Sequence, residues 1–453
     1  MSGITLFEIT KLHGYKDFKL HLKDSTLILV GENGTGKTTV LRLLYYLLSG
    51  QWGALAKFKF EQLSITINNE RHVLSYSYLE QKIRGLDKKV LRRVPIHIRQ
   101  RFLELLEQSE GNILLPDLEL LCDRFDIPVH FIMQELDLFT RPQGKHAEKL
   151  KAVLENVNKS LNAQLLYLPT YRRIEQELNL IFKGIDDEEL LHRHKYMAPR
   201  KRHDTYVELV EFGMKDVVRA IRSTLEQLKE FARENLNNLT LGYLGDVVDQ
   251  KYAEVSVDQI QKSSDETIEN VLNRIHASIL STTSKQHLSQ TIQKVKNGEN
   301  LDEHAKVICH YFIKLLAFQE ELQKNEDSIS KFCDVCNEYM VDKTFIYDSS
   351  SFSFNIKADC PDGNQRDVEL KQLSSGEKQI VSLFSHLYLS GGAKYFVLID
   401  EPELSLSVTW QRRFLTDIRN GGFCSGIVAV THSPFIYDNE LKSYAHGLGE
   451  FCV

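Results

Sequence analysis

Apolar residues follow two periods along this chain. Near both ends they form short alternating or continuous runs, the pattern of strands; through the middle they recur every three or four positions, the pattern of helices. Residues 4–9 read as one half-buried strand, and Phe18, Leu20 and Leu22 mark a second. Leu27–Val30 is continuously apolar, which predicts a strand buried on both faces. The helix that follows has Val40, Leu41, Leu44, Tyr45 and Leu48 on its inner face. Leu63–Ile67 and His72–Tyr78 predict two more strands, joined at Asn68-Asn69 as a hairpin. Together these strands imply an antiparallel lobe.

Residues 80–160 read as charged amphipathic helices, and Leu165–Leu168 as a buried strand stopped by Pro169. From about 174 to 340 the pattern is mostly helical: Val217, Val218, Ile221, Leu225, Leu228 and Phe231 keep helical spacing, as do Ile308, Phe312, Leu315, Leu316 and Leu322. No internal repeat and no sustained heptad seam is present, so a long coiled coil is not predicted. After 340, Phe345–Tyr347 and Phe352–Ile356 alternate, with Pro361-Asp-Gly363 as a turn. Residues 381–389 and 408–419 predict helices, Tyr395–Ile399 and Ile427–Val430 buried strands. Strand and helix alternate in both end segments and not between them. The expected organisation is therefore one α/β domain in two halves, 1–80 and 341–453, split by a mostly helical insertion, 81–340, that a core strand near 165–168 interrupts.

The totals narrow the class. The chain has 453 residues, enough for more than one core, with 42% hydrophobic and 26% charged residues, as in soluble globular proteins. A net charge of -6 supplies no global basic field, so any contact with nucleic acid must come from a local patch. No apolar run reaches the ~20 residues that span a bilayer. The N-terminus lacks the basic and apolar regions of a signal peptide. Seven scattered cysteines form no disulfide framework, which fits a reducing, cytoplasmic setting.

Three short segments carry chemistry. Gly31-Glu-Asn-Gly-Thr-Gly-Lys37-Thr38 satisfies GxxxxGK[ST] between a buried strand and a helix. Glycines let successive N–H groups curl around phosphate oxygens, and the helix N-terminus adds partial positive charge. Asn33, Gly34, Thr35, Gly36, Lys37, Thr38 and Thr39 are thus the candidate phosphate contacts; Lys37 reaches the β- and γ-phosphates and Thr38 holds Mg2+. Phe396–Ile399 ends in Asp400-Glu401. Alone, such an acidic pair is usually a solvated loop. Beside a phosphate loop, Asp400 is a Mg2+ ligand through water, and Glu401 orients or deprotonates the attacking water. His432, at the tip of the next buried strand, is placed to hydrogen-bond the γ-phosphate or that water.

Leu373-Ser-Ser-Gly-Glu-Lys-Gln379 is a second anion-binding helix start, with Ser374, Ser375 and Gly376 at its mouth. One phosphate loop does not need two such partners. Here the chain resembles the ATP-binding-cassette (ABC) ATPases, in which this signature segment closes over the ATP of another head. Within them it is similar to the SMC, RecF and OLD branch rather than to transporters. Glu401-Pro-Glu-Leu-Ser-Leu-Ser407 supports that branch, departing from the common Glu-Pro-Glu-Leu-Ser-Leu-His-Pro at Ser407 and Val408. The resemblance implies a P-loop α/β fold, ATP and Mg2+ as cofactors, ATP hydrolysis at a rate the sequence leaves open, and homodimers or higher oligomers through the heads. It covers residues 1–80 and 340–445. Family members carry a glutamine after the core strand that Leu165–Leu168 matches; here Gln176, Arg172 and Arg173 are the available substitutes.

Other features are less specific. Cys333-x-x-Cys336 reads as a pair on a buried helix face rather than a zinc hook, since Cys360 does not complete a ligand set. The basic run 192–203, Tyr171-Arg172-Arg173, Lys88-Lys89 and Arg92-Arg93 are candidate phosphate-backbone contacts or solvated loops. No nuclease motif is present. Length and the style of Leu166-Tyr-Leu-Pro-Thr-Tyr-Arg172 resemble the ATPase subunits of Septu antiphage systems, the PtuA type, including those beside retrons. That resemblance implies a defence ATPase controlling a separate HNH nuclease subunit of the PtuB type. The alternative is a RecF- or SMC-like ATPase acting as an ATP-gated DNA clamp.

Overall fold

The computed structural model describes residues 3–32, 34–79, 82–84, 112–114, 145–169, 206–208, 214–274, 281–298, 302–360 and 363–453. Asn33, Lys88, Lys89, Arg92, Arg93, Tyr171–Arg173, Gln176 and the basic run 192–203 lie outside the described residues.

The chain divides into two compact units, residues 1–211 with 393–453, and residues 212–392. In the first, a six-stranded all-parallel sheet is ordered β15-β3-β14-β13-β8-β9. Its strands are β3 (Thr26–Val30), β8 (Gln164–Leu168), β9 (Tyr206–Glu208), β13 (Tyr395–Asp400), β14 (Cys424–Thr431) and β15 (Ala445–Gly447). Every residue of β13 is buried, as a central parallel strand covered on both faces requires. Alternate residues Leu27, Leu29, Phe396, Leu398, Val428 and Val430 join α1 (Lys37–Ser49) in one core; those between face the other way. The helix α8 (Val408–Asn420) packs on β14 and buries Phe414, Leu415 and Ile418.

A four-stranded antiparallel lobe, ordered β2-β1-β4-β5, belongs to the same unit. It comprises β1 (Ile4–Leu12), β2 (Lys16–His21), β4 (Gln62–Ile67) and β5 (Glu70–Ser75). Asn68 and Asn69 both take left-handed φ, 52° and 68°, the angles a two-residue hairpin turn demands. The helix α2 (Lys145–Leu161) packs on β5 and α1.

The second unit contains two 35-residue helices, α3 (Met214–Val248) and α6 (Glu303–Asn337). They pack on each other and on α7 (Ser375–Leu389). Ile268, Val271 and Leu272 of α4 (Asp265–Arg274) and Leu288 and Ile292 of α5 (Thr282–Lys296) share a core with Phe312 and Leu315 of α6. A meander of β10 (Lys343–Asp348), β11 (Ser353–Asp359) and β12 (Gln365–Asp367) completes the unit. Cys333 and Cys336 are buried on α6, where burial pushes both thiols up, Cys333 to about 12. The sequence boundary at 340 falls inside this unit, because α6 packs on β10 and α7.

Several elements differ from the pattern read along the chain. Lys82–Arg84 (β6) and Asn112–Leu114 (β7) pair antiparallel, within a stretch expected to be helical throughout. β9 and β15 are edge strands of three residues each, too short to show a period. β5 ends at Ser75 and gives way to a tight helical turn over Tyr76–Tyr78. The helix expected to begin at 381 begins at Ser375, because its first turn, Ser-Gly-Glu-Lys-Gln, is polar and carries no apolar periodicity.

Candidate nucleotide site

β3, β14 and β13 lie side by side and run the same way, so the loops leaving their C-terminal ends converge, the usual ligand position in parallel sheets. After β3 the chain turns through Gly34 at φ +80° and Gly36 at φ +101°, and Gly36 is the N-cap of α1. A Cβ on Gly34 would meet nothing within 4 Å, so the backbone angle, not crowding, demands glycine there.

Lys37 folds back over this loop. Its Nζ donates to the Gly31 and Glu32 carbonyls, each at 2.8 Å, and to Thr35 Oγ1 at 3.4 Å. Burial lowers its pKa, and Glu401, Asp400 and Glu403 oppose that shift in this order. The ammonium therefore sits between loop carbonyls and a group of three carboxylates.

Thr38 and Thr39 lie in the first turn of α1. Thr38 Oγ1 donates to Asp400 Oδ1 at 3.1 Å, and Asp400 is fully buried. A hydroxyl and a carboxylate held together are the hard oxygen donors that Mg2+ takes alongside substrate phosphates, so these residues fit that ion.

Glu401 stands at φ +51°, costly for a residue with a Cβ, and its N–H donates to the Val430 carbonyl at 2.8 Å. Burial raises its pKa first, then Asp400 and Glu403, while His432 and Lys37 pull it down. A carboxylate so placed is more basic than an exposed one and suits proton abstraction from water.

His432 follows β14 and is exposed. Its backbone N–H donates to Glu403 Oε1 at 2.8 Å, while the buried Thr431 hydroxyl donates to Glu403 Oε2 at 2.7 Å. Ser407, where the chain departs from the common motif, caps α8 by accepting from the Trp410 N–H at 3.4 Å.

The described members of the phosphate-loop, Asp-Glu and His432 sets thus meet at three adjacent strand ends. Ser374, Ser375 and Gly376 belong to the second compact unit. Ser374 caps α7 reciprocally: its Oγ accepts from the Glu377 N–H at 3.4 Å, and its N–H donates to Glu377 Oε2 at 2.7 Å. Lys343 donates to Glu377 Oε1 at 2.8 Å, and both serines are exposed at the helix mouth.

Two contributors escape motif reading. Glu403 sits inside the Glu401-Pro-Glu403 segment but shows no role until its partners Thr431 and His432 are brought to it by the fold. Arg42, one turn beyond Lys37, hydrogen-bonds the Tyr167 phenol of β8 in the field of Asp400. Tyr167 also stacks on Tyr45, ring centroids 4.2 Å apart. Only the spacing of Arg42 from the phosphate loop could have hinted at it.

A family described as AAA ATPase domain, AAA_15, matches residues 4–437, nearly the whole chain. The chain belongs to this family. Membership in this ATPase family implies nucleotide binding, and the fold is the P-loop α/β class with antiparallel lobe and helical region expected from the sequence. The chain is 27% identical over 312 residues to the DNA replication and repair protein RecF of Rickettsia felis, covering 68% of this chain and 75% of that one. It is 24% identical over 301 residues to RecF of Rickettsia canadensis, covering 65% and 73%. A Smc head domain with an extended coiled coil, bound to the C-terminal domain of ScpA, from Pyrococcus furiosus, aligns over 97% of this chain and 92% of its own at 13% identity, with a TM-score of 0.34. A Smc head with a coiled coil and joint from Pyrococcus yayanosii aligns over 97% and 94% at 13% identity, with a TM-score of 0.30. No helix among the described residues is long and apolar enough to cross a membrane.

Proposed function

We propose that this ATPase hydrolyses ATP with Mg2+ and works as a RecF-like, ATP-gated clamp on DNA, closing head to head with a second copy. The observation that carries the catalytic part is the meeting of Thr38 with Asp400 beside Lys37 and Glu401. Gly34, Thr35, Gly36 and the first N–H groups of α1 receive the phosphates, with Asn33 of the same loop. Lys37 exchanges its loop carbonyls for phosphate oxygens. Thr38 and Asp400 would hold Mg2+, which would supply positive charge against that of the phosphates. Glu401 takes the proton of the attacking water, and His432 steadies the γ-phosphate.

The mouth of α7, where Ser374 and Ser375 are exposed and Gly376 is buried, is the same kind of anion-binding helix start as that of α1. Supplied by a second copy, it completes the enclosure of each ATP. Nucleotide then biases an open–closed equilibrium of the pair. The RecF relatives favour the DNA-clamp reading over the antiphage subunit with an HNH nuclease partner.

The test is retention of DNA by the purified protein alone. Glu401→Gln protein incubated with ATP and Mg2+ should hold duplex DNA through a salt wash and release it when nucleotide is removed. Equal retention with and without ATP, or none in either, would refute the clamp.

A further inference from the structure

We propose that Glu403 is a positioning residue for ATP turnover: its carboxylate clamps the Thr431–His432 corner to the loop that carries Glu401, and so fixes where the His432 imidazole stands. The proposal rests on the nucleotide reading above and adds to it a residue that no motif assigns.

The geometry is a two-point grip. Both carboxylate oxygens are used, one by the Thr431 hydroxyl at 2.7 Å and the other by the His432 N–H at 2.8 Å. These donors belong to successive residues where β14 ends. A carboxylate accepts at both oxygens at once, whereas an amide accepts at only one. Charge-assisted bonds of this length are about twice as strong as neutral ones. Thr431 is fully buried, so its hydroxyl cannot turn to water if the carboxylate is lost.

The grip is braced on its other side. Gln411 of α8 donates to the Leu406 carbonyl at 2.9 Å and accepts from Ser433 Oγ at 2.6 Å. Glu401 and Ser405, which flank Glu403 in the loop, both take left-handed φ, 51° and 66°. The loop is thus fixed by backbone geometry at Glu401, by Glu403 at His432 and by Gln411 at Ser433. The Asp-Glu loop and the histidine loop are joined as one corner.

The choice of an acid here is informative. Glu403 is a third carboxylate beside Asp400 and Glu401, and its charge helps push the Glu401 pKa up. That repulsion is a cost, which a neutral acceptor would avoid. The two-point grip offsets it by holding His432 where Glu401 activates water. A residue that acts this way works through His432, and its loss should be invisible once the imidazole is gone.

Steady-state ATP hydrolysis and nucleotide affinity, measured on the full chain, test this. Glu403→Leu should lower kcat by about ten- to hundredfold, with KM for ATP within about twofold of wild type. Glu403→Gln keeps one acceptor for the His432 N–H and should fall between. In the His432→Ala background, neither Glu403 change should slow turnover further. Wild-type kcat in Glu403→Leu, or losses that multiply with His432→Ala, would overturn the proposal. If Glu403→Leu does not fold, Glu403→Gln alone and with His432→Ala decides by the same rule. A wild-type chain without Lys37-dependent hydrolysis would sink the nucleotide reading and this proposal together. Hydrolysis that depends on Lys37 but ignores Glu403 would sink this proposal alone.

Discussion

Thr38 and Asp400 are separated by 362 positions, yet the threonine hydroxyl donates to the aspartate carboxylate at 3.1 Å. Two strands make this contact unavoidable. β3 ends at Val30 and delivers the phosphate loop and α1; β13 ends at Asp400; β14 lies between them and pairs with both in parallel. The sheet register thus brings the Mg2+-type donors together.

Changing Thr38 to Val removes the hydroxyl and leaves the buried Asp400 without this donor. ATP turnover should fall by about a hundredfold, and the Mg2+ concentration needed for half-maximal rate should rise. Titration of Mg2+ against steady-state hydrolysis checks both. An unchanged Mg2+ dependence would remove Thr38 and Asp400 from the ion site.

Lys37→Ala deletes the ammonium that now bonds two loop carbonyls and faces three carboxylates. Nucleotide affinity, read by calorimetry, should drop by about a hundredfold or more. The fold should survive, because the sheet strands carry the core. ATP-dependent retention of DNA should vanish with binding.

Glu401 gives a pH signature. Its folded-state pKa lies above the unfolded value, so its stabilising contribution is fully present below the unfolded pKa and is lost as pH rises through the folded one. At neutral pH the ionised carboxylate therefore works against the fold. Glu401→Gln should raise the thermal midpoint at pH 7 to 8, and the difference should shrink as pH falls below the raised pKa. In wild type, turnover should decline on the acid side with a midpoint above the ordinary glutamate range. A thermal midpoint unchanged by the substitution at every pH would contradict the carboxylate crowding.

Core packing gives a test independent of nucleotide. Leu398, central in β13, is fully buried in the same cluster as Leu29 and Val430. Leu398→Ala should cost about 2–5 kcal/mol, seen as a lower midpoint in denaturant unfolding. A loss below about 0.5 kcal/mol, the size of an ordinary surface change, would show that β13 is not central to the core.

The elements most legible in the sequence are those whose burial is one-sided or complete over several residues. β3, β13 and β14 show as apolar runs, α1 shows by its inner face, and the phosphate loop shows by its glycines. The signature helix is written in its chemistry, not its period: the Ser374–Glu377 capping pair marks its start, while its first turn is too polar for an apolar count. β9 and β15 were hidden by length, and β6 and β7 by a charged context. Glu403 was hidden for a deeper reason. One of its two donors is a backbone N–H, which every residue but proline carries, so only the fold shows that it is aimed there.

The central claim is that two copies enclose each ATP, one supplying Lys37 and the other Ser375. Light scattering of the Glu401→Gln chain with ATP and Mg2+ tests it most directly. The mass should double from one chain to two with nucleotide, and a further Ser375→Arg change should hold it at one while ATP still binds. A chain that binds ATP and stays at one mass, or that doubles regardless of Ser375→Arg, would contradict the shared site.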